Sequence, residues 1–226
     1  ATIFFIIYFV IQSTLKMENE KYLNDISEIK NLMDKSSRFI SLSGLSGILA
    51  GLYCLIGAGL AYKIIYFDTT TLGNYSDLTI TQTALIQLIL IAVSVIVLSL
   101  ATAIALSIRK AKKGNDSIWN SSTKRLVINF MIPLMTGGFF ILFLIEKEIL
   151  GLVAPLTLIF YGLACVNASK YTLGDIRYLG ITMVLLGLLS TWFLGYGLLF
   201  WALGFGVCHI LYGSIMYYKY DRNKSK

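Results

Sequence analysis

The residues best suited to chemistry are a serine set among glycines, Gly44-Leu45-Ser46-Gly47, and the single histidine, His209. A hydroxyl becomes a nucleophile when a base takes its proton, and donors must receive the oxyanion that follows. Both residues lie in apolar runs at compatible depths. Ser46 is eight residues past Arg38, about 12 Å at 1.5 Å per residue, and His209 is ten before Lys219, about 15 Å from the same side. Packing is the competing reading. Gly47 and Gly51 form a small-xxx-small pair with Gly44 just ahead, and Ser46 can bond a local carbonyl. A mid-span histidine can relay protons or donate one hydrogen bond across helices as a neutral ring. No Asp or Glu lies inside an apolar run to continue a relay, which favours the second.

Asn129 and Pro133 are coupled. Proline at 133 removes the hydrogen bond to the carbonyl four residues back and frees a polar group. Asn167 falls at a similar shallow depth on the next apolar run. With His209, and with Ser41, Ser43, Thr102, Thr182 and Ser214, these residues either line a polar vestibule, as kinked helices do in transporters, or serve as hydrogen-bond glue. Pro155 is a second expected kink and shapes an outer hairpin. Cys54, Cys165 and Cys208 lack CxxC spacing, so no disulfide framework and no metal site is expected. Nor is there an HExxH, a P-loop or a GxGxxG, and no cofactor is expected.

The elements that must hold these residues follow from composition. The 226 residues are 57% hydrophobic and 14% charged, too little polarity to cover a soluble core of this length. Six apolar runs, 39–65, 84–108, 126–145, 149–169, 178–194 and 197–218, approach the ~20 residues a helical span needs. The expected fold is an all-α membrane protein of about six transmembrane helices. Arg38, Arg125 and Arg177 each precede an odd-numbered run, which suggests three tandem antiparallel hairpins. The outer turns after the third and fifth runs are tight, at Glu146-Lys147-Glu148 and Gly195-Tyr196.

Charge supplies an orientation. Of 19 Lys and Arg residues, 17 lie before the first run, in alternate loops or after the last, and only Lys63 and Lys147 lie on the other side. This places both termini in the cytoplasm. The net charge of +7 is therefore a topology signal, and no nucleic-acid partner is expected. Trp192, Tyr196, Phe200 and Trp201 mark the outer boundary. Tyr212, Tyr217, Tyr218 and Tyr220 mark the inner one.

Ahead of the spans, Tyr22, Ile26, Ile29 and Met33 share one helical face. Residues 17–38 read as an amphipathic cytoplasmic helix, lying on the membrane surface or binding a partner protein. Residues 1–16 are an apolar stub too short to span. Met17 would make a natural start, so the stub is expected to be upstream sequence or the remnant of a cut element.

The stretch Gly44–Ala61, GLSGILAGLYCLIGAGLA, resembles the G-x-S-G helix of rhomboid intramembrane proteases. That resemblance implies a serine hydrolase with Ser46 as nucleophile and His209 as base. It covers one helix, which is the first span here and a late one in rhomboids. The chain as a whole, with SLSGLSG, GLVAPLTLIFYGLACVNASKY and YYKYDR, resembles small multi-pass proteins of the bacterial inner membrane. That likeness implies location and topology and carries no activity. The expected function is a non-enzymatic partner-binding or sensory membrane component. A small-solute transporter or channel is the alternative, and a rhomboid-like hydrolase stands behind both.

Overall fold

The computed structural model describes residues 21–23, 25–27, 43–67, 81–113 and 119–222. The stub 1–16, Ser41 and much of the 17–38 arm lie outside them. The chain divides into two compact units, Ala1–Arg38 and Phe39–Lys226. In the first, residues 21–23 and 25–27 are helical, with Tyr22 and Ile26 exposed.

Every regular element among the described residues of the second unit is helical. Six helices follow in order: α1 Gly44–Phe67, α2 Gln82–Lys113, α3 Ser121–Glu146, α4 Leu150–Tyr171, α5 Ile176–Trp192 and α6 Gly197–Asp221. Five are long and apolar enough to cross a membrane, and α5 is a shorter apolar helix of 17 residues. Each sits on one expected run, but the boundaries differ. The α2 helix extends five residues past Ile108, to a last turn containing Lys110, Lys112 and Lys113. The α3 helix starts at Ser121, not Leu126, because the Asn120 side chain accepts the Thr123 N–H at 2.8 Å and caps the end.

Packing follows the glycines. In lipid there is little hydrophobic drive between helices, so close backbone approach and hydrogen bonds must hold them. The α4 and α5 helices form the most extensive pair. They run antiparallel, with Gly180 opposite Gly162 and Gly187 opposite Pro155. A Cβ at Gly162 would lie 2.6 Å from the Gly180 carbonyl oxygen, and one at Gly180 would lie 2.6 Å from that of Gly162. The α1 helix packs on α2 and on α6, and α3 packs on α4. Sequence-adjacent pairs α1–α2 and α3–α4 are thus neighbours, while α6 lies mainly against α1 and only thinly against α5. Leu158, Leu179 and Met183 form the buried core between α4 and α5.

The α3–α4 turn is a Schellman-type stop. Glu148 N–H donates to the Ile145 carbonyl at 3.1 Å and Ile149 N–H to that of Leu144 at 2.9 Å, with Glu148 left-handed at φ 59°. In the α5–α6 turn Gly195 takes φ 99°, a conformation glycine adopts without strain.

At the opposite end two carboxylates gather the helix ends. Asp221, in the last turn of α6, accepts from Gly44 N–H at 2.9 Å and from the Ser43 hydroxyl at 3.3 Å. Its other oxygen pairs with Lys110 of α2 at 2.5 Å. A carboxylate at the α1 N-terminus and a lysine near the α2 C-terminus both match their helix dipoles. Asp175, between α4 and α5, accepts from Lys219 and from the Tyr220 hydroxyl, each at 2.8 Å. The start of α1, the end of α2, the α4–α5 connection and the end of α6 therefore share one basic end of the bundle.

Gly162→Leu and Gly180→Leu should each destabilise the bundle by about 1–3 kcal/mol or more, because the new side chain meets backbone. Gly59→Ala, with open space at its Cβ, should cost nothing or stabilise slightly. Unfolding in detergent micelles checks the contrast. A second expectation concerns pH. The hydrogen bond from Lys219 leads in holding the Asp175 carboxyl below its ordinary 3.8, with Tyr220 adding to it and burial opposing. A lowered folded pKa means a contribution present above 3.8 and lost as pH falls through that value and then through the folded one. Stability should drop over that acid range in the native chain, and by less in Asp175→Asn.

Candidate functional site

His209 is 8% exposed and stands where two forms of helix meet. The α6 segment Ala202–Cys208 is π-helical and gives way to α-helix at His209. The ring folds back so that Nδ1 lies 3.1 Å from the Gly204 carbonyl oxygen, while Nε2 lies 2.8 Å from the Tyr161 hydroxyl of α4. A carbonyl can only accept, so Nδ1 carries the proton and donates to Gly204. Nε2 then presents its lone pair and accepts from Tyr161. Both nitrogens are used in the neutral ring.

An aromatic shell fixes this geometry. Phe205 stacks on His209 at 5.8 Å between ring centres, and Tyr161 packs on Phe205 at 5.0 Å. Phe130 of α3 meets Tyr161 edge-on at 5.9 Å. Tyr161 was missed in the sequence because it reads as one more aromatic in an apolar run. The signal was available: a lone mid-span histidine needs a hydroxyl or carbonyl partner, and Tyr161 is a hydroxyl at mid-span.

Ser46 does not join them by hydrogen bond. It is buried at 6% exposure, and its hydroxyl donates to the Ser43 carbonyl at 2.6 Å. The helices themselves are close: a Cβ at Gly47 would lie 3.5 Å from the His209 carbonyl oxygen and 3.1 Å from Gly213 Cα. Gly51 meets the Gly206 carbonyl in the same way, at 2.6 Å. Gly44, Gly47 and Gly51 thus form the face of α1 that receives α6. The serine and the imidazole sit on touching helices with their polar atoms turned to other partners.

Asn129 and Asn167 come together. The Asn167 side-chain amide donates at 2.8 Å to the Asn129 backbone carbonyl, the group that Pro133 leaves without its helical donor. The Asn129 amide donates back to the Arg125 carbonyl, also at 2.8 Å. His209 is in a separate group, connected through Phe130. Of the other described hydroxyls of the expected vestibule, Ser43 donates to Asp221, while Thr102 bonds the Leu98 carbonyl at 2.9 Å, Thr182 that of Tyr178 at 2.9 Å, and Ser214 that of Ile210 at 2.7 Å. Pro155 is buried in the first turn of the α-helical part of α4, a position where a missing N–H costs little. Ser190 differs from all of these. It is fully buried on α5, and its hydroxyl has no partner among the described residues.

No group of three or more His, Cys, Asp or Glu that could hold a metal occurs among the described residues. The long apolar helices, the glycine-mediated contacts and the buried polar pairs are the make-up of an α-helical membrane protein. No protein-family profile matches the chain, no curated protein matches its sequence, and no solved structure matches its fold.

If Tyr161 and His209 stabilise the bundle through each other, Tyr161→Phe and His209→Phe should be coupled. A double-mutant cycle in detergent should give an interaction energy of about 1 kcal/mol, within the range for hydrogen bonds between membrane helices.

Proposed function

We propose that this is a six-span protein of the bacterial inner membrane, with the start of its first helix and the end of its last on the basic side, which faces the cytoplasm. It acts as a partner-binding or sensory component, without catalysis of its own. The observation that carries this reading is the commitment of the chemistry-bearing side chains. Ser46 bonds Ser43, and His209 bonds Tyr161 and Gly204. Asn167 takes the carbonyl that Pro133 releases. Groups arranged this way hold helices together and leave neither an activated nucleophile nor a free base.

Two further observations support the topology. The α5 helix is short, but it lies antiparallel along α4 from Val166 to Pro155, which supports counting it as a span. The basic residues concentrate at the end where Asp175 and Asp221 sit, as expected for a cytoplasmic face. The contacts of such a component fall to residues 18–38, the amphipathic stretch outside the bundle.

Transport of a small solute is the second reading. One observation favours it: the π-helical Ala202–Cys208 lies within a long apolar helix, and π segments recur at functional sites.

A photo-crosslinking residue placed in turn at Tyr22 and Ile26, on the apolar face, and at Asn24 and Asn31, off it, tests the first reading in native membranes. A discrete protein adduct from the apolar positions alone is expected. Adducts to lipid only, or none, would remove the partner-binding role.

A further inference from the structure

The basic end carries more cation than its own carboxylates use. Among the described residues there, Asp221 is engaged by Lys110 and by the α1 N-terminus, and Asp175 by Lys219 and Tyr220. Arg109, Lys112, Lys113, Lys124, Arg125, Lys170 and Arg177 are all exposed and form no ion pair among the described residues.

Four of the seven are drawn together by the helix contacts. Asn167 binds the Asn129 carbonyl at 2.8 Å, which fixes the start of α3 against the end of α4. Arg125 lies one turn before Asn129 and Lys170 three residues after Asn167, so both stand at the mouth of that interface, with Lys124 beside Arg125. Gly180, packed on Val166, brings the start of α5 to a neighbouring face of the same end of α4, and Arg177 is three residues before it. Lys124, Arg125 and Arg177 sit at helix N-termini, where the dipole disfavours cations, and neither helix has an acidic residue in its first turn; Asp175, the residue ahead of α5, is taken up by Lys219 and Tyr220. Tyr178, 62% exposed beside Arg177, adds an amphipathic ring at headgroup level.

We propose that the basic end of α4 and of the two helices that flank it, α3 and α5, with Lys124, Arg125, Lys170 and Arg177, binds the phosphate of an anionic phospholipid headgroup. The inference rests on the membrane reading but not on any partner or sensory role. The occupant is a lipid rather than a soluble anion because the charges stand at the ends of apolar helices, where a headgroup can meet the basic rim while its acyl chains lie along exposed apolar surface. Ile128 and Ile132 of α3, 59% and 58% exposed, offer such a surface just inside Lys124 and Arg125.

The test titrates the full chain in detergent with phosphatidylglycerol, with phosphatidylcholine of the same acyl chains, and with inorganic phosphate, following the unfolding temperature. Phosphatidylglycerol should raise it saturably and more weakly at high salt, and the other two should not. Replacing Lys124, Arg125, Lys170 and Arg177 by glutamine should weaken the phosphatidylglycerol effect by roughly fivefold per residue. The same exchange at Arg109, Lys112 and Lys113 should weaken it less. Equal shifts with both lipids, or an undiminished shift in the fourfold variant, would overturn the site. An equal shift with inorganic phosphate would mark a soluble-anion site and overturn the lipid. Should the fourfold variant not fold, a photoactivatable phosphatidylglycerol on the native chain decides. Labelling must centre on the segments around Arg125 and Lys170, and labelling spread evenly over the helices would refute the proposal.

Discussion

Where α1 crosses α6, Gly213 meets the backbone of Gly44–Ile48 with no side chain between them: a Cβ there would lie 2.6 Å from the Ile48 nitrogen and 2.8 Å from the Gly44 oxygen. The same arrangement joins α4 to α5 at Gly162 and Gly180. In hydrocarbon these approaches replace the hydrophobic effect as the source of cohesion, because a leucine gains nothing by leaving lipid for another leucine. The polar pairs depend on them. The Tyr161 hydroxyl meets His209 at 2.8 Å because α4 and α6 are held at one spacing and one rotation, and Asp221 reaches Gly44 for the same reason. Bulk at the crossings would separate hydrogen-bonded atoms that tolerate displacements of only a few tenths of an ångström.

The polar groups in turn explain why the bundle tolerates irregular helices. Pro133 frees a carbonyl within α3, and Asn167 covers it from α4. In the π-helical stretch of α6 the Gly204 carbonyl also receives the His209 ring, from within the same helix. In lipid, an exposed backbone carbonyl has no water to turn to, so a break in regular hydrogen bonding persists only where another protein group stands in. At Pro133 that group is Asn167.

The amino-acid sequence makes the helices legible, since runs such as 84–108 and 126–145 have no polar face and only length decides them. It also makes the Pro133 effect legible, because a proline acts on a carbonyl at fixed separation. Depth can be counted at 1.5 Å per residue, which put Ser46 and His209 at similar levels. Rotation cannot be counted that way. Two residues at one depth on touching helices can turn to different neighbours, and these do: the serine to its own backbone, the histidine to Tyr161. Asp221 was hidden for another reason. In a stretch of lysines and arginines it reads as one more solvated charge, and only the proximity of α1 and α2 to the end of α6 turns it into a helix cap.

That cap has a consequence for synthesis. The group that satisfies the Gly44 N–H is 177 residues downstream. While the chain is being made, α1 enters the bilayer with its first turn unfinished and must wait for every later span before its end is closed. Lys110 of α2 waits for the same carboxylate. Insertion can proceed helix by helix, but the α1–α6 crossing can form only when α6 has arrived. The bundle therefore gains its final cohesion in one late event, and a nascent chain halted before α6 holds its helices without the contacts that tie the first to the last.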